Sequence, residues 1–284
     1  MTSLDASRVV RSVIVYATVD TFADDRGAIA LALAFCRSTR ACLTGMLLNI
    51  EANEPPRYET LKLDDLRHKS EQREARNAHN AEVLRALACK AGIAVQTLTA
   101  IDHSRGVIGF LADHARLHDL LVIGTDGSGP LSDRVIAENV LFETGRPMLV
   151  APPSWTGELS CRRVAVAWDN SRGAARALGD ALALFPQIEE IAMVTLGDEK
   201  ALASSLEANE VMQIVRRRGV SAEFEHIAGR GRPIADVLQD YAADSDADML
   251  VMGAYAHSRL RDFILGGATL SVLAAPRLPV LMSY

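Results

Sequence analysis

Residues 247–269 have the sequence Ala-Asp-Met-Leu-Val-Met-Gly-Ala-Tyr-Ala-His-Ser-Arg-Leu-Arg-Asp-Phe-Ile-Leu-Gly-Gly-Ala-Thr. The apolar run from Met249 to Met252 is typical of a parallel strand that is covered on both faces, and Gly253 ends it. After a loop, Gly266 and Gly267 come directly before a predicted helix at 268–275. A helix start offers unpaired N–H groups and the positive end of a dipole. The stretch is therefore either an anion-binding turn or a glycine-rich strand-to-helix turn without a ligand.

The composition is that of a soluble globular protein with room for two domains. The chain has 284 residues, of which 49% are hydrophobic and 23% charged, with a formal net charge of -6. This acidic balance argues against nucleic acid as a partner, because nucleic-acid binding needs a basic face. No apolar run reaches the length of a membrane span, and residues 1–7 lack the apolar core of a signal peptide. We therefore expect no membrane contact and a cytoplasmic location.

The cysteines indicate neither a disulfide nor a metal site. No two of them form a C-x-x-C pair, and none has a histidine at ligand spacing. We expect free, buried or half-buried thiols at Cys36, Cys42, Cys89 and Cys161.

Predicted strands and helices alternate along the chain, and their order occurs twice. The first strand, residues 13–19, is followed by Asp20, and a fifth strand ends at residue 151. After a linker candidate at 152–157 the order returns with a strand at 164–168, which is followed by Asp169. Short motifs repeat too: 119–124 matches 248–253, 26–28 matches 172–174, and 146–150 matches 278–282. We predict two copies of one domain, residues 1–153 and 154–284.

This alternation predicts an α/β fold, with a mainly parallel five-stranded sheet and helices on both faces in each domain. In such sheets ligands bind beyond the carboxyl ends of the strands, where the strand order reverses. That edge would hold Asp20 and Gly124 in the first domain, and Asp169 and Gly253 in the second. Asp169 is equally compatible with a helix N-cap or a turn residue.

These residues together resemble the universal stress protein family in its tandem two-domain form. The resemblance is carried by the strand-Asp start (164–171), the Asp-x-Leu-Val-x-Gly strand, the glycine loop after it and the final Pro-Val-Leu strand. It implies two tandem Rossmann-like (adenine nucleotide alpha hydrolase-like) domains. In ATP-binding members, Gly, two residues, Gly, nine residues, then Gly and Ser or Thr wrap the phosphates. The aspartate after the first strand contacts the nucleoside, and a residue ending the second strand contacts adenine.

The C-terminal half keeps part of that pattern. Ala256 replaces the second glycine, nine residues lead from there to Gly266, and Gly267 stands where Ser or Thr is expected. Phosphate contacts made by backbone N–H groups tolerate these changes, although a Cβ at Ala256 disfavours positive φ. Trp168 either stacks on a base or packs between domains. By the resemblance, the cofactor-binding residues are Ala167, Trp168, Asp169, Thr195, Met252, Gly253, Ala256, His257, Arg259, Gly266, Gly267, Ala268 and Thr269.

The N-terminal half departs further from the pattern. Gly124 and Gly127 are present, but the segment from Gly124 to Pro147 is three residues shorter than its counterpart. Counting nine residues beyond Gly127 leads to Ala137 and Glu138, which would place a negative charge where phosphate should bind. We expect a degenerate site, either a structural copy or a site for another ligand.

The resemblance implies a cytoplasmic stress-response protein that binds ATP, ADP or AMP, with or without Mg, in its C-terminal domain as a regulatory ligand. The alternative is an interaction module of the same fold that binds no nucleotide and acts through an unknown protein partner. We expect no enzyme, because neither a G-x-S-x-G elbow nor a G-x-x-x-x-G-K-[ST] loop occurs. A weak ATPase activity stays compatible with the sequence, but no general base can be named.

The last predicted strand of each half, 147–151 and 279–283, is apolar and would need covering at a sheet edge. We expect the two strands to pair with each other or to lie at the domain interface, which would make the domains an intramolecular pseudo-dimer. A homodimer of two chains is the other arrangement that covers them.

Overall fold

The structure is a computed structural model, and it describes residues 10–49, 63–99, 106–126, 132–196, 208–254 and 267–284. The chain divides into two compact units. The N-terminal unit is Arg11–Glu158, and the C-terminal unit is formed mainly by Leu159–Tyr284.

The N-terminal unit is a parallel sheet of five strands with four helices in its described part. The strand order is β3-β2-β1-β4-β5. Its elements are β1 (Ser12–Thr18), α1 (Gly27–Thr39), β2 (Cys42–Leu48), α2 (Leu63–Lys90), β3 (Val95–Leu98), α3 (Gly106–Ala115), β4 (Leu120–Ile123), α4 (Asp133–Thr144) and β5 (Met148–Val150).

The C-terminal unit repeats this topology, with the strand order β10-β9-β6-β7-β8 and parallel pairing throughout. Its elements are β6 (Arg163–Ala167), α5 (Arg172–Leu184), β7 (Glu190–Leu196), α6 (Ala208–Arg216), β8 (Ser221–Ile227), α7 (Ile234–Asp244), β9 (Met249–Gly253), α8 (Gly267–Ala274) and β10 (Val280–Ser283). The predicted α/β fold with five-stranded parallel sheets is therefore confirmed.

The central strands are buried because their sequences are continuously apolar. All four residues of β4 are buried, as are the first four of β9 and residues 13–18 of β1. A strand that is covered by helices on both faces has no side exposed to water. Its residues must therefore all be apolar, whereas an alternating apolar and polar sequence would bury polar side chains. The outer strand β8 instead alternates, and its Glu223 and Glu225 are exposed.

In each unit the first strand lies between the second and the fourth, so the strand order reverses there. The edge beyond the carboxyl ends of those strands is where ligands bind in open α/β sheets. Asp20, Gly124, Asp169 and Gly253 stand at or just after the ends of β1, β4, β6 and β9, so these four residues lie at the expected edge of their own sheets.

Some local predictions need correction. The sequence predicts a third strand over residues 95–101, but β3 ends at Leu98. It also predicts a helix over residues 199–218, of which the described part is only Ala208–Arg216. Residues 199–207 lie outside the described residues. Cys36 and Cys161 are buried free thiols as expected, but Cys42 and Cys89 are exposed, since they stand at the first residue of β2 and near the end of α2.

Two further observations bear on function. In the described ranges, no helix is long and apolar enough to cross a membrane. Those same ranges contain no group of three or more His, Cys, Asp or Glu side chains that could hold a metal ion.

Candidate functional site

The C-terminal unit brings several predicted site residues to one edge of its sheet. Ala167 ends β6 between Val194 of β7 and the end of β9. The backbone N–H of Trp168 donates to the Val194 carbonyl at 2.8 Å, and the Thr195 hydroxyl donates to the Trp168 carbonyl at 2.5 Å. The hydroxyl of Thr195 thus fixes the loop after β6 against β7, so its observed role is structural.

Asp169 is a turn residue in this loop. Its Oδ1 accepts a hydrogen bond from the Ser171 N–H at 2.9 Å, while Asn170 between them has a left-handed φ of 61°. The cap of α5 is Ser171, whose Oγ accepts from the Ala174 N–H at 3.0 Å. Of the two structural roles that the sequence allowed for Asp169, the turn is confirmed and the N-cap is wrong.

The indole of Trp168 packs inside the C-terminal unit. It is 7% exposed, and its Nε1–H donates to Asn170 Oδ1 at 2.8 Å. Together with Leu178, Val211 and Ile214 it lines an apolar groove of about 290 Å³ between α5 and α6. Little of the ring is open to a ligand, so stacking on a base stays a prediction.

Gly253 has a packing role that the sequence did not reveal. A Cβ built on it would lie 2.4 Å from the Gly173 carbonyl carbon and 2.5 Å from the Ala174 nitrogen. The first turn of α5 therefore passes directly over the end of β9, and a side chain on Gly253 has no room. The repeat of the Arg-Gly-Ala motif is the sequence feature that could have singled out Gly173 as a packing residue.

The helix start after β9 carries only small residues. Helix α8 has no acidic residue in its first turn, Gly267 is exposed, and Thr269 is buried. A Cβ built on Gly267 would meet nothing within 4 Å. Four residues predicted for this site lie outside the described residues and stay predictions: Ala256, His257, Arg259 and Gly266.

The corresponding helix of the N-terminal unit starts differently. Helix α4 begins at Asp133, and the Ser132 Oγ caps it by accepting from the Val135 N–H at 3.4 Å. The count that placed the helix start at Ala137 and Glu138 was wrong, because the connection from β4 is shorter than the family spacing implies. Glu138 lies inside α4, 3.5 Å from the Arg134 Nε. A negative charge does stand at the helix start, but Asp133 carries it.

Asp133 is almost completely buried, at 2% exposure. Burial raises the pKa of its carboxyl group to about 7. A hydrogen bond with the Thr21 side chain acts in the opposite direction, and the charge of Asp126 raises the pKa further. The pKa of Asp126 is also raised, mainly by burial, and Arg26 offsets part of that effect.

The linker candidate packs against its own unit. The Trp155 carbonyl accepts a hydrogen bond from the Gly27 N–H at 2.8 Å, at the start of α1, where Gly27 has a φ of 64°. Trp155 is half-buried, and the neighbouring Pro153 lines a cavity beside β1 and α1.

Each unit is a parallel α/β sheet with a glycine at the end of its fourth strand and a helix that starts after it. These features are those of a tandem Rossmann-like protein. The sequence profile of the universal stress protein family matches residues 160–283. The chain is 28% identical over 153 residues to a universal stress protein of Synechocystis sp., and this match covers 51% of the chain. The chain spans only 49% of the length of that curated relative. The C-terminal half of the chain is therefore similar in sequence to universal stress proteins.

Solved structures confirm the fold over almost the whole chain. A universal stress protein from Archaeoglobus fulgidus DSM 4304 superposes with a TM-score of 0.64 at 15% identity, over 95% of each chain. A functionally unknown protein from Pseudomonas aeruginosa PAO1 gives a TM-score of 0.56 at 16% identity, over 98% of this chain and 94% of that one.

Proposed function

We propose that this chain is a cytoplasmic stress-response protein whose C-terminal unit binds ATP, or another adenine nucleotide, as a regulatory ligand. The observation that carries the proposal is the start of α8, where Gly267, Ala268 and Thr269 follow the fourth strand of the unit and no acidic side chain is present in the first turn.

Electrostatics favour a phosphate at this helix start over the one in the other unit. The first turn of a helix carries about half a positive elementary charge and several unpaired N–H groups. At α8 nothing opposes this field within the first turn, and the Gly267 backbone can be approached closely because it has no side chain. At α4 the buried carboxyl group of Asp133 occupies the equivalent place.

The proposed role of the nucleotide is regulatory. A ligand shifts a conformational equilibrium only by its different affinities for the two states, so a nucleotide can change partner choice without being consumed. In the described residues no metal-ligating cluster accompanies the helix start. Any Mg would therefore arrive with the phosphates of the nucleotide.

A substitution at Gly267 tests the proposal. We expect Gly267→Glu to lose bound nucleotide, because it places a carboxylate at the start of α8. A glutamate in the first turn stabilises a helix by about 0.3–1 kcal/mol, so the loss should not come from unfolding. The measurement is the nucleotide released from the denatured protein, identified by mass spectrometry, together with the rise in melting temperature on adding Mg-ATP.

The matched control is Ala274→Glu, which adds the same charge at the exposed far end of the same helix, about 10 Å away. It should retain the nucleotide. If wild-type protein releases no nucleotide and millimolar Mg-ATP leaves the melting temperature unchanged, the proposal fails. The interaction module without nucleotide then becomes the better account of the fold.

A further inference from the structure

The N-terminal unit contains a cavity of about 210 Å³ at the carboxyl ends of β1 and β4. Its walls come from the end of β1, the loop after it, the start of α1, and the two acidic residues Asp126 and Asp133. In the C-terminal unit the end of β9 lies in close backbone contact with the start of α5, at Gly253 and Gly173. At Gly124, by contrast, the three atoms nearest to an added Cβ belong to the side chains of Asp126, Asp133 and Ala28.

Two residues that line this cavity, Tyr16 and Asp133, each have one buried side-chain oxygen without a hydrogen-bond partner. Tyr16 is 0% exposed and Asp133 is 2% exposed. Within the described part of the chain, neither the Tyr16 hydroxyl nor Asp133 Oδ1 finds a partner. An unpaired buried polar atom costs about 1–3 kcal/mol, so two of them on one cavity indicate that something polar belongs in it.

The carboxyl groups of Asp126 and Asp133 converge on the same point. A Cβ on Gly124 would lie 3.2 Å from Asp126 Oδ2 and 3.5 Å from Asp133 Oδ2. The backbone holds the two residues together, since the Asp133 N–H donates to the Asp126 carbonyl at 3.1 Å. Two carboxyl groups this close disfavour each other's ionisation unless a positive charge lies between or beside them.

The other charges around the cavity do not neutralise this pair. Asp20 is engaged by Arg73 at 3.0 Å and by Arg76 at 3.6 Å. Arg26 acts on Asp126 through its charge, but its closest described carboxylate is Asp25, at 3.8 Å. The lining therefore keeps an excess of negative charge when both Asp126 and Asp133 are ionised.

Part of the remaining wall is apolar and suits a short hydrocarbon chain, beside the polar residues Asp20, Thr21 and Arg26 that also line the cavity. Ala17, Phe22, Ala28, Ile29 and Pro153 line the cavity together with the carboxyl groups. The volume equals that of roughly seven water molecules, which is far more than a single metal ion fills.

The geometry points to a binding site for a small organic ammonium ion in the N-terminal unit, with its charged nitrogen between Asp126 and Asp133, its N–H groups shared with the Tyr16 hydroxyl, and its alkyl chain against the apolar wall. This site is separate from the nucleotide site proposed above and does not depend on it.

Binding at this site must depend on pH. An ammonium ion favours ionised carboxyl groups, so it binds with release of the proton from Asp133, whose pKa is about 7 in the empty protein. The groups facing Asp133 are Tyr16, Thr21, Asp126 and, farther out, Arg26 and Asp20. Burial and the charge of Asp133 raise the pKa of Tyr16, so its phenol stays protonated throughout. Affinity should weaken about tenfold for each pH unit below the pKa of Asp133.

The test uses the full chain and propylammonium chloride as the probe. Calorimetry at about pH 8 should give saturable binding at one site per chain. At about pH 6, where Asp133 is still mostly protonated in the empty protein, binding should release close to one proton to the buffer. 1-Propanol has nearly the same shape without the charge, and potassium chloride supplies a positive charge without the chain. Neither should bind saturably or displace the probe, as followed by saturation-transfer NMR on the wild-type protein.

Two substitutions locate the site. Asp133→Asn keeps the shape and removes the charge, and it should weaken binding roughly ten- to a hundredfold. Tyr16→Phe should weaken it several-fold. Asp24→Asn removes the same charge from an exposed neighbouring position and should leave binding unchanged. Equal binding of 1-propanol or potassium, unchanged affinity in Asp133→Asn, or no binding of propylammonium at millimolar concentration would each overturn the proposal.

Discussion

Asp133 combines two opposing effects at one residue. A carboxylate in the first turn of a helix is favoured by the helix dipole, yet burial at 2% exposure disfavours its charge. The effect of burial is the larger of the two, since the pKa of Asp133 is raised from 3.8 to about 7. The residue that we expect to oppose phosphate in the N-terminal unit therefore carries its own charge at an energetic cost near neutral pH.

This gives a pH prediction for stability. Because the folded pKa of Asp133 lies above its unfolded value, the folded protein binds more protons between about pH 4 and about pH 7, and the free energy of unfolding should fall across that window as pH rises. Asp133→Asn should remove this fall, and by about pH 8 it should gain up to about 4 kcal/mol relative to wild type. Urea unfolding of both proteins across the window measures the difference, and parallel stability curves would contradict it.

The sequence predicts a negative charge at the start of this helix but assigns it to the wrong residue. It placed negative charge at the helix start by counting to Glu138, although the pair Ser132-Asp133 is an ordinary N-cap signal. The position of Trp168 could not be predicted, since its groove is formed by α5 and α6 and depends on tertiary packing.

Glycine at the end of the fourth strand serves different purposes in the two units. Gly253 is needed because α5 crosses β9 at backbone contact distance, whereas a Cβ on Gly124 would meet the carboxylate side chains of Asp126 and Asp133. In the sequence, Gly124 and Gly253 belong to the same repeated motif. The difference in what surrounds them is visible only when the starts of α1 and α5 are compared.

A matched pair of substitutions separates these purposes. Gly253→Ala should destabilise the protein by about 1–3 kcal/mol or more, because its Cβ would overlap backbone atoms that cannot move independently. Gly124→Ala should be milder, since its nearest neighbour at 3.2 Å is the Asp126 carboxylate, which can turn away. Thermal unfolding of both variants provides the comparison. Equal losses of stability in the two variants would show that the close contact at Gly253 does not determine how well an added side chain is tolerated.

The strands were the most predictable elements. The unbroken apolar run Met249–Met252, for example, is predicted as a strand, and the observed strand β9 is one residue longer. Helix ends were less predictable, because capping residues such as Ser132 and Ser171 compete with neighbouring polar residues for the same role.

At the scale of the whole chain, the internal repeat predicted two copies of one fold, and both sheets have the same strand order. The repeat did not predict that the copies would differ at their ligand edges. One such difference is a single residue at the start of a helix, Asp133 in α4 and Gly267 in α8, and it leaves the strand pattern unchanged.

The stoichiometry of nucleotide binding follows from this difference. We expect one nucleotide per chain, held by the C-terminal unit, because Asp133 opposes phosphate in the other. The absorbance of the released adenine, divided by the protein concentration, gives the ratio. Two nucleotides per chain would show that the N-terminal unit accepts phosphate despite its acidic helix start.

The chain contains two tryptophans, and each unit holds one. Trp155 is half-buried, and its carbonyl fixes the Gly27 N–H at the wall of the N-terminal cavity, while Trp168 lies almost fully buried behind the edge of the C-terminal sheet. Their fluorescence should therefore differ, with Trp168 emitting at the shorter wavelength. Replacing either one by phenylalanine would leave an intrinsic optical reporter of a single unit, and occupancy of each site could be followed separately without an attached dye.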